Sequence, residues 1–105
     1  MYALIGSGTF SSAQDNALEL RRQLGATLVG EPTGEKVNSY GEVRQFTLPN
    51  SGLNIQYCTK FFRMADHGDP AALEPDVRVP RTLDDVLAGR DPVIEAAIKH
   101  SGSKN

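Results

Sequence analysis

Two side chains in the first third of the chain have types and spacing that could carry acyl transfer. Ser11 lies in the small-residue run Gly8-Thr9-Phe10-Ser11-Ser12-Ala13-Gln14, and Lys36 lies in the turn-rich loop Gly30-Glu31-Pro32-Thr33-Gly34-Glu35-Lys36-Val37. A serine opening a helix after a glycine-containing turn is sterically accessible, and the unpaired amides of the first helical turn favour negative charge developing on a bound carbonyl oxygen. The same serine, with Gln14 three residues on, has the spacing of a capping box, in which its hydroxyl only accepts from the first turn. Lys36 has two readings as well. A lysine base must be neutral, which calls for burial or a second cation to bring down an ordinary pKa of about 10.4. A solvated loop lysine beside Glu35 would keep its proton.

The other chemical groups are weaker candidates. His67 between Asp66 and Asp69 suggests a histidine base or a metal ligand, but Gly68 and Pro70 make the stretch an exposed turn, where polar residues gather for solvent. A base there must also come within hydrogen-bond reach of the serine. His100, near the end, suits a helix C-terminus in its charged form. Asp84, Asp85 and Asp91 read as helix-start residues, and Ser51 as part of the turn Leu48-Pro49-Asn50-Ser51-Gly52. Tyr57, Phe61 and Phe62 read as sheet packing, with a grip on the apolar end of a peptide as their second use.

These residues need elements to hold them. Tyr2 to Ile5 is an apolar run closed by Gly6, Ser7 and Gly8, which predicts a strand covered on both faces. A helix follows, with Ala13, Ala17, Leu20 and Leu24 as its apolar stripe and Gly25 as its stop. Ala26 to Gly30 predicts a second strand, and strand, helix, strand with short links implies parallel pairing in a βαβ unit. Gly30 to Gly41 reads as a loop at a strand end, a place that commonly carries function. Pro49 to Gly52 separates two alternating stretches, with Leu53, Ile55 and Tyr57 on one face of the second, which predicts a hairpin. Val77 to Val79 reads as a short edge strand between Pro75 and Pro80. Thr82 with Asp85, then Asp91 with Pro92, predict the starts of two C-terminal helices. Residues 100–105 read as a frayed tail.

Bulk properties narrow the function. The 105 residues, 39% of them apolar, allow one compact domain. A net charge of −2 with no basic run gives no footprint for nucleic acid or an anionic membrane. Cys58 is the single cysteine, so an internal disulfide is ruled out and a thiolate metal cluster is implausible. No stretch approaches the roughly 20 apolar residues of a membrane-spanning helix, and Met1 opens no signal-peptide pattern. Met-Tyr-Ala-Leu-Ile-Gly reads as a buried strand with no lead-in, as expected for a piece of something longer.

The stretch Gly8 to Lys36, continued by "YGEVRQFTLPNSGLNIQY", "LEPDVRV" and "TLDDVLAGRDPVIEAAI", resembles the C-terminal half of the catalytic domain of C-terminal-processing (tail-specific) serine peptidases. The likeness covers nearly the whole chain. The family's serine motif, Thr/Ser-Ala-Ser-Ala-Ser/Ala-Glu, lies over Thr9 to Gln14, with Gln14 in place of the glutamate. Its lysine base lies twenty-five positions after the serine, the separation of Ser11 and Lys36. The resemblance implies an α/β fold, a partial Clp-protease/crotonase-like ββα core with a βαβ unit, a β-hairpin and C-terminal helices. It implies Ser11 as nucleophile and Lys36 as base in a Ser-Lys dyad, and the Ser12 N–H as one oxyanion donor. The second donor would come from the other half of the domain, outside this chain, so the chain alone is expected to be inactive.

Thr33-Gly34-Glu35-Lys36-Val37 stands where the family usually has Thr-Phe-Gly-Lys-Gly. The base is therefore either Lys36 or a histidine or other group in the other half. A polypeptide substrate, no cofactor, no metal and a periplasmic or secreted setting are also implied. The alternative is a non-catalytic module that keeps the fold and binds an apolar ligand or peptide, as interphotoreceptor retinoid-binding repeats do. A split domain whose exposed apolar surface drives homo-oligomerisation is a third expectation.

Overall fold

The computed structural model describes residues 1–103. It is mixed α/β, with strands β1 (Tyr2–Ile5), β2 (Thr27–Gly30), β3 (Ser39–Thr47), β4 (Asn54–Phe62) and β5 (Val77–Arg78), and helices α1 (Ser12–Leu24), α2 (Leu83–Leu87) and α3 (Pro92–Gly102). The short strands form one parallel sheet in the order β1-β2-β5, with Tyr2 opposite Thr27, Ile5 opposite Gly30, and Val29 opposite Val77. The βαβ unit is present as expected: α1 carries the chain from β1 back to a parallel β2. Asp76 fixes the β5 edge, accepting from the Leu28 amide at 2.7 Å while its own amide donates to the Leu28 carbonyl at 2.8 Å.

Leu28 and Val29 are adjacent and both wholly buried. Successive strand residues point to opposite faces, so the sheet is covered on both. Leu28 joins Ile5, Ala17, Leu18, Val37 and Leu73 in the core under α1, while α3 packs on β1 and β2. Cover is incomplete at the edge. Leu4 is 47% exposed, so β1 is not enclosed on both faces as its apolar run predicts. The buried face of α1 also differs from the expected stripe: it is Gln14, Ala17 and Leu18, with Ala13 and Leu24 in solvent. The turn is one residue off because Gln14 is drawn inward by polar partners described below. Gly25 does end α1, in the left-handed conformation (φ 62°), with its amide on the Arg21 carbonyl.

β3 and β4 form the predicted hairpin, antiparallel from Ser39 opposite Phe62 to Thr47 opposite Asn54, closed by Leu48 N–H donating to the Leu53 carbonyl at 2.8 Å. Its position was not predicted. The two strands pack on each other and extend away from the parallel sheet, which stretches the molecule to 62 Å. Tyr57, Phe61 and Phe62, expected to pack the sheet of the body, remain between 42% and 49% exposed on this arm.

The C-terminal helices start where the sequence places them. Thr82 and Asp85 make a reciprocal capping box, and the Asp91 carboxylate accepts from the Val93 and Ile94 amides, each at 3.1 Å, with Pro92 as first helical residue. α3 continues through Gly102, so residues 100–102 of the expected frayed tail are helical; 104 and 105 lie outside the described residues. His100 is in the last turn of α3, its Nδ1 3.0 Å from the Tyr2 hydroxyl. Among the described residues no helix is long and apolar enough to cross a membrane.

Candidate active site

The chain leaves β1 at Ile5 and turns sharply, with Thr9 N–H on the Gly6 carbonyl at 2.8 Å and Gly6 N–H on Thr9 Oγ1 at 3.1 Å. At the end of this turn Ser11 has φ 53° and ψ −133°, outside the regions ordinary for an L-residue. Its carbonyl accepts from Asp15 N–H at 3.1 Å and so begins α1. Its hydroxyl does not cap: no side-chain bond is made to the first turn. Ser11 and Ser12 are exposed, and among the described residues no acceptor lies within hydrogen-bond reach of the Ser12 amide. A groove of about 350 Å³ lies beside the turn, lined by Leu4 to Thr9, Glu31, Arg81, Asp91 and Val93, with Ser11 and Ser12 outside its lining.

The capping box expected of Ser11 and Gln14 is thus absent, because the Gln14 side chain is engaged elsewhere and the Ser11 hydroxyl is left uncapped. Gln14 is 1% exposed; its Nε2 donates to the Lys36 carbonyl at 3.0 Å, and its Oε1 accepts from the Thr33 hydroxyl. Thr33 in turn accepts from Leu73 N–H at 2.8 Å and donates its own amide to the Leu73 carbonyl at 3.2 Å. Gly34 N–H reaches the Thr9 carbonyl at 3.0 Å, and a Cβ at Gly34 would lie 2.1 Å from the Ser7 carbonyl oxygen, so only glycine allows this approach. The loop from Thr33 to Val37 is therefore fastened to the turn that presents Ser11. From it, Glu35 accepts the Ser11 amide proton.

Lys36 points elsewhere. Its ammonium is 2.6 Å from Asp69 Oδ2, in a pair more than half exposed on both sides, with Asn38 also on Asp69 at 3.4 Å. The hydrogen bond from Lys36 is the main reason the Asp69 carboxyl lies below its ordinary range. Asp15, one turn into α1, has the opposite displacement: its carboxyl is raised by burial first and by the charges of Glu35 and Glu19 after it. Among the described residues no hydrogen bond joins Ser11 to Lys36 or to His67. His67 is exposed and borders a separate groove lined by Leu18, Val37 and Leu73. Among the described residues no three His, Cys, Asp or Glu side chains come together so as to hold a metal ion.

Chemically, the junction offers an exposed primary hydroxyl, held on a strained strand-to-helix turn beside a free amide at the positive end of a 13-residue helix. That combination suits attack on a carbonyl, with the amide receiving the developing oxyanion. What the fold defines is a small α/β unit that presents a serine at a helix start. In comparisons with known proteins, no family model and no curated protein matches the chain. Thr33 and Glu35 are the site residues that the sequence reading missed. A signal for Thr33 existed in Gln14, a polar residue on the buried side of α1 that had to find partners; Glu35 carries no local signal, because its partner is 24 residues away.

Proposed function

We propose that the chain is the C-terminal part of the catalytic core of a serine endopeptidase of the C-terminal-processing type, with a partial Clp-protease/crotonase-like fold. The observation that carries this is the backbone of Ser11: φ 53° at the strand-to-helix turn, hydroxyl uncapped and exposed. Positions of that kind persist where surrounding structure over-determines them, and they gather at reactive sites. Ser11 Oγ attacks the peptide carbonyl carbon while its proton passes to a base. The tetrahedral oxyanion takes the Ser12 N–H and a second donor from the other half of the domain. Collapse breaks the C–N bond, the amine leaves with a proton from the base, and water hydrolyses the resulting ester.

The base in this scheme is either Lys36, released from Asp69, or a group contributed by the other half. Removing one oxyanion donor typically costs about 2.7–4 kcal/mol of transition-state stabilisation, so the 105 residues alone should be inactive or nearly so. A fluorophosphonate probe provides the test. It should label Ser11 in the full-length protein, with labelling lost in Ser11→Ala, and hardly at all in this chain by itself; full-length protein that stays unlabelled at Ser11 refutes the reading.

One observation favours a second reading, a peptidase-like module that binds an apolar ligand or peptide without cleaving it: the Lys36 ammonium is engaged by Asp69 and not by Ser11. Turnover of an unstructured protein, abolished by Ser11→Ala, selects the peptidase. Binding without turnover selects the module.

A further inference from the structure

We infer that Glu35 is a positioning residue for Ser11, its carboxylate selecting the backbone rotation that turns the hydroxyl outward; this rests on Ser11 being the nucleophile proposed above. Two arrangements compete at this helix start. In a capping box, the hydroxyl at the N-cap bonds the amide three residues on, while the side chain there reaches back to the N-cap amide. Ser11 and Gln14 have that spacing, and in that arrangement the hydroxyl would be consumed. The structure holds the other one. Gln14 is buried and committed to Thr33 and the Lys36 carbonyl, and the Ser11 amide, left without its reach-back partner, is taken by Glu35.

Glu35 can do this because its backbone is anchored on both flanks. Thr33 is tied to Leu73 by 2.8 and 3.2 Å bonds, Gly34 to Thr9 at 3.0 Å, and the Lys36 carbonyl to Gln14 at 3.0 Å. A carboxylate brought from so fixed a loop loses little freedom on bonding, and its charge suits the positive end of α1. The Asp15 carboxyl is raised by burial first, and then by the charges of Glu35 and Glu19. The Glu35 charge would oppose an oxyanion on the adjacent Ser12 amide. Hence the hydrogen bond and the charge have opposite effects on the reaction.

The two can be separated by substitution in the full-length protein. Glu35→Gln keeps an acceptor and removes the charge, so fluorophosphonate labelling of Ser11 should proceed at least as fast as in the wild type. Glu35→Ala removes both and should be slower by roughly tenfold or more, the scale of one charge-assisted bond. Equal rates for alanine and wild type, or glutamine as slow as alanine, overturn the inference. Hydrogen exchange at the Ser11 amide gives a readout independent of reactivity: protected in wild type and Glu35→Gln, and about tenfold or more faster in Glu35→Ala. If the wild type is never labelled, the nucleophile reading falls, while the exchange data still decide whether Glu35 holds the amide. Loss of Ser11 protection without change at the β1 and β2 amides identifies a local effect; unchanged Ser11 exchange in Glu35→Ala refutes the role.

Discussion

Ser11 with Gln14 and Thr82 with Asp85 have the same residue logic at two helix starts, and only the second closes its capping box. The difference is outside the local sequence. The Asp85 carboxylate bonds back to Thr82 and, among the described residues, is otherwise met only by Arg90, whereas Gln14 sits under a loop whose Thr33 hydroxyl and Lys36 carbonyl need partners away from water. Gln14→Ala would leave those groups short of partners and open a small void, so destabilisation of about 2–3 kcal/mol is expected in urea titration. A loss below about 0.5 kcal/mol would mean that the loop finds other partners. Lys36 tests the chemistry at the same scale. Its exposed pair with Asp69 should contribute little to folding, so Lys36→Met should fold normally, and Ser11 labelling in the full-length protein then reports on the base directly. On the proposed peptidase reading, abolished labelling assigns Lys36 as the base, and undiminished labelling excludes it.

Elements written in short-range chemistry were legible. Asp91-Pro92 started α3, Gly25 ended α1, and the turn from Pro49 to Gly52 joined β3 to β4, because each depends on side chains within a few residues of the backbone groups they satisfy. The face that α1 buries was not legible, since Gln14 goes inward for partners 19 and 22 residues away. Nor was the rotation of Ser11, which depends on Glu35. The α2 cap makes a pH prediction. Asp85 lies below its ordinary range, chiefly through the Thr82 side-chain hydrogen bond, then the Thr82 amide and Arg90, against some burial. A carboxyl lowered in the folded state contributes stability that is complete above its unfolded pKa of about 3.9 and is lost as pH falls through the folded value. Asp69 adds to the same acid limb, while Asp15, raised on folding, opposes it: its ionisation disfavours the fold, so acidification relieves that cost. Urea midpoints measured between about pH 5 and pH 2 should therefore fall, and Asp85→Asn should flatten the fall while lowering the plateau. An unchanged slope in that variant would show the cap does not persist in solution.

At the scale of the molecule, a radius of gyration of 17.5 Å stands well above the about 13 Å expected of a compact domain this long, and the excess lies in the β3–β4 arm. The strand pairing places Tyr40 opposite Phe61, Phe46 opposite Ile55 and Arg44 opposite Tyr57, so one face of the arm is largely aromatic and aliphatic. Tyr40 and Phe61 meet at 4.8 Å with their rings tilted by 59°, and Phe46 meets Tyr57 edge-on at 6.0 Å, yet all four remain 45% exposed or more. A two-stranded ribbon with one uncovered apolar face is marginal in water. The parallel sheet is different, with Leu28 and Val29 sealed between α1 and α3. Two stability levels follow within one chain. For the 105 residues at low concentration, amides of β3 and β4 should exchange at least about a hundredfold faster than those of β1 and β2, since the arm can open without unfolding the core. Raising the concentration should slow exchange in the arm alone if copies cover one another's aromatic faces, and Phe61→Lys, which places a charge in that face, should remove the concentration dependence. Arm amides as slow as the core at high dilution would mean that the ribbon holds by itself, and would remove the physical reason for expecting the other half of a domain, or another copy, to lie against it.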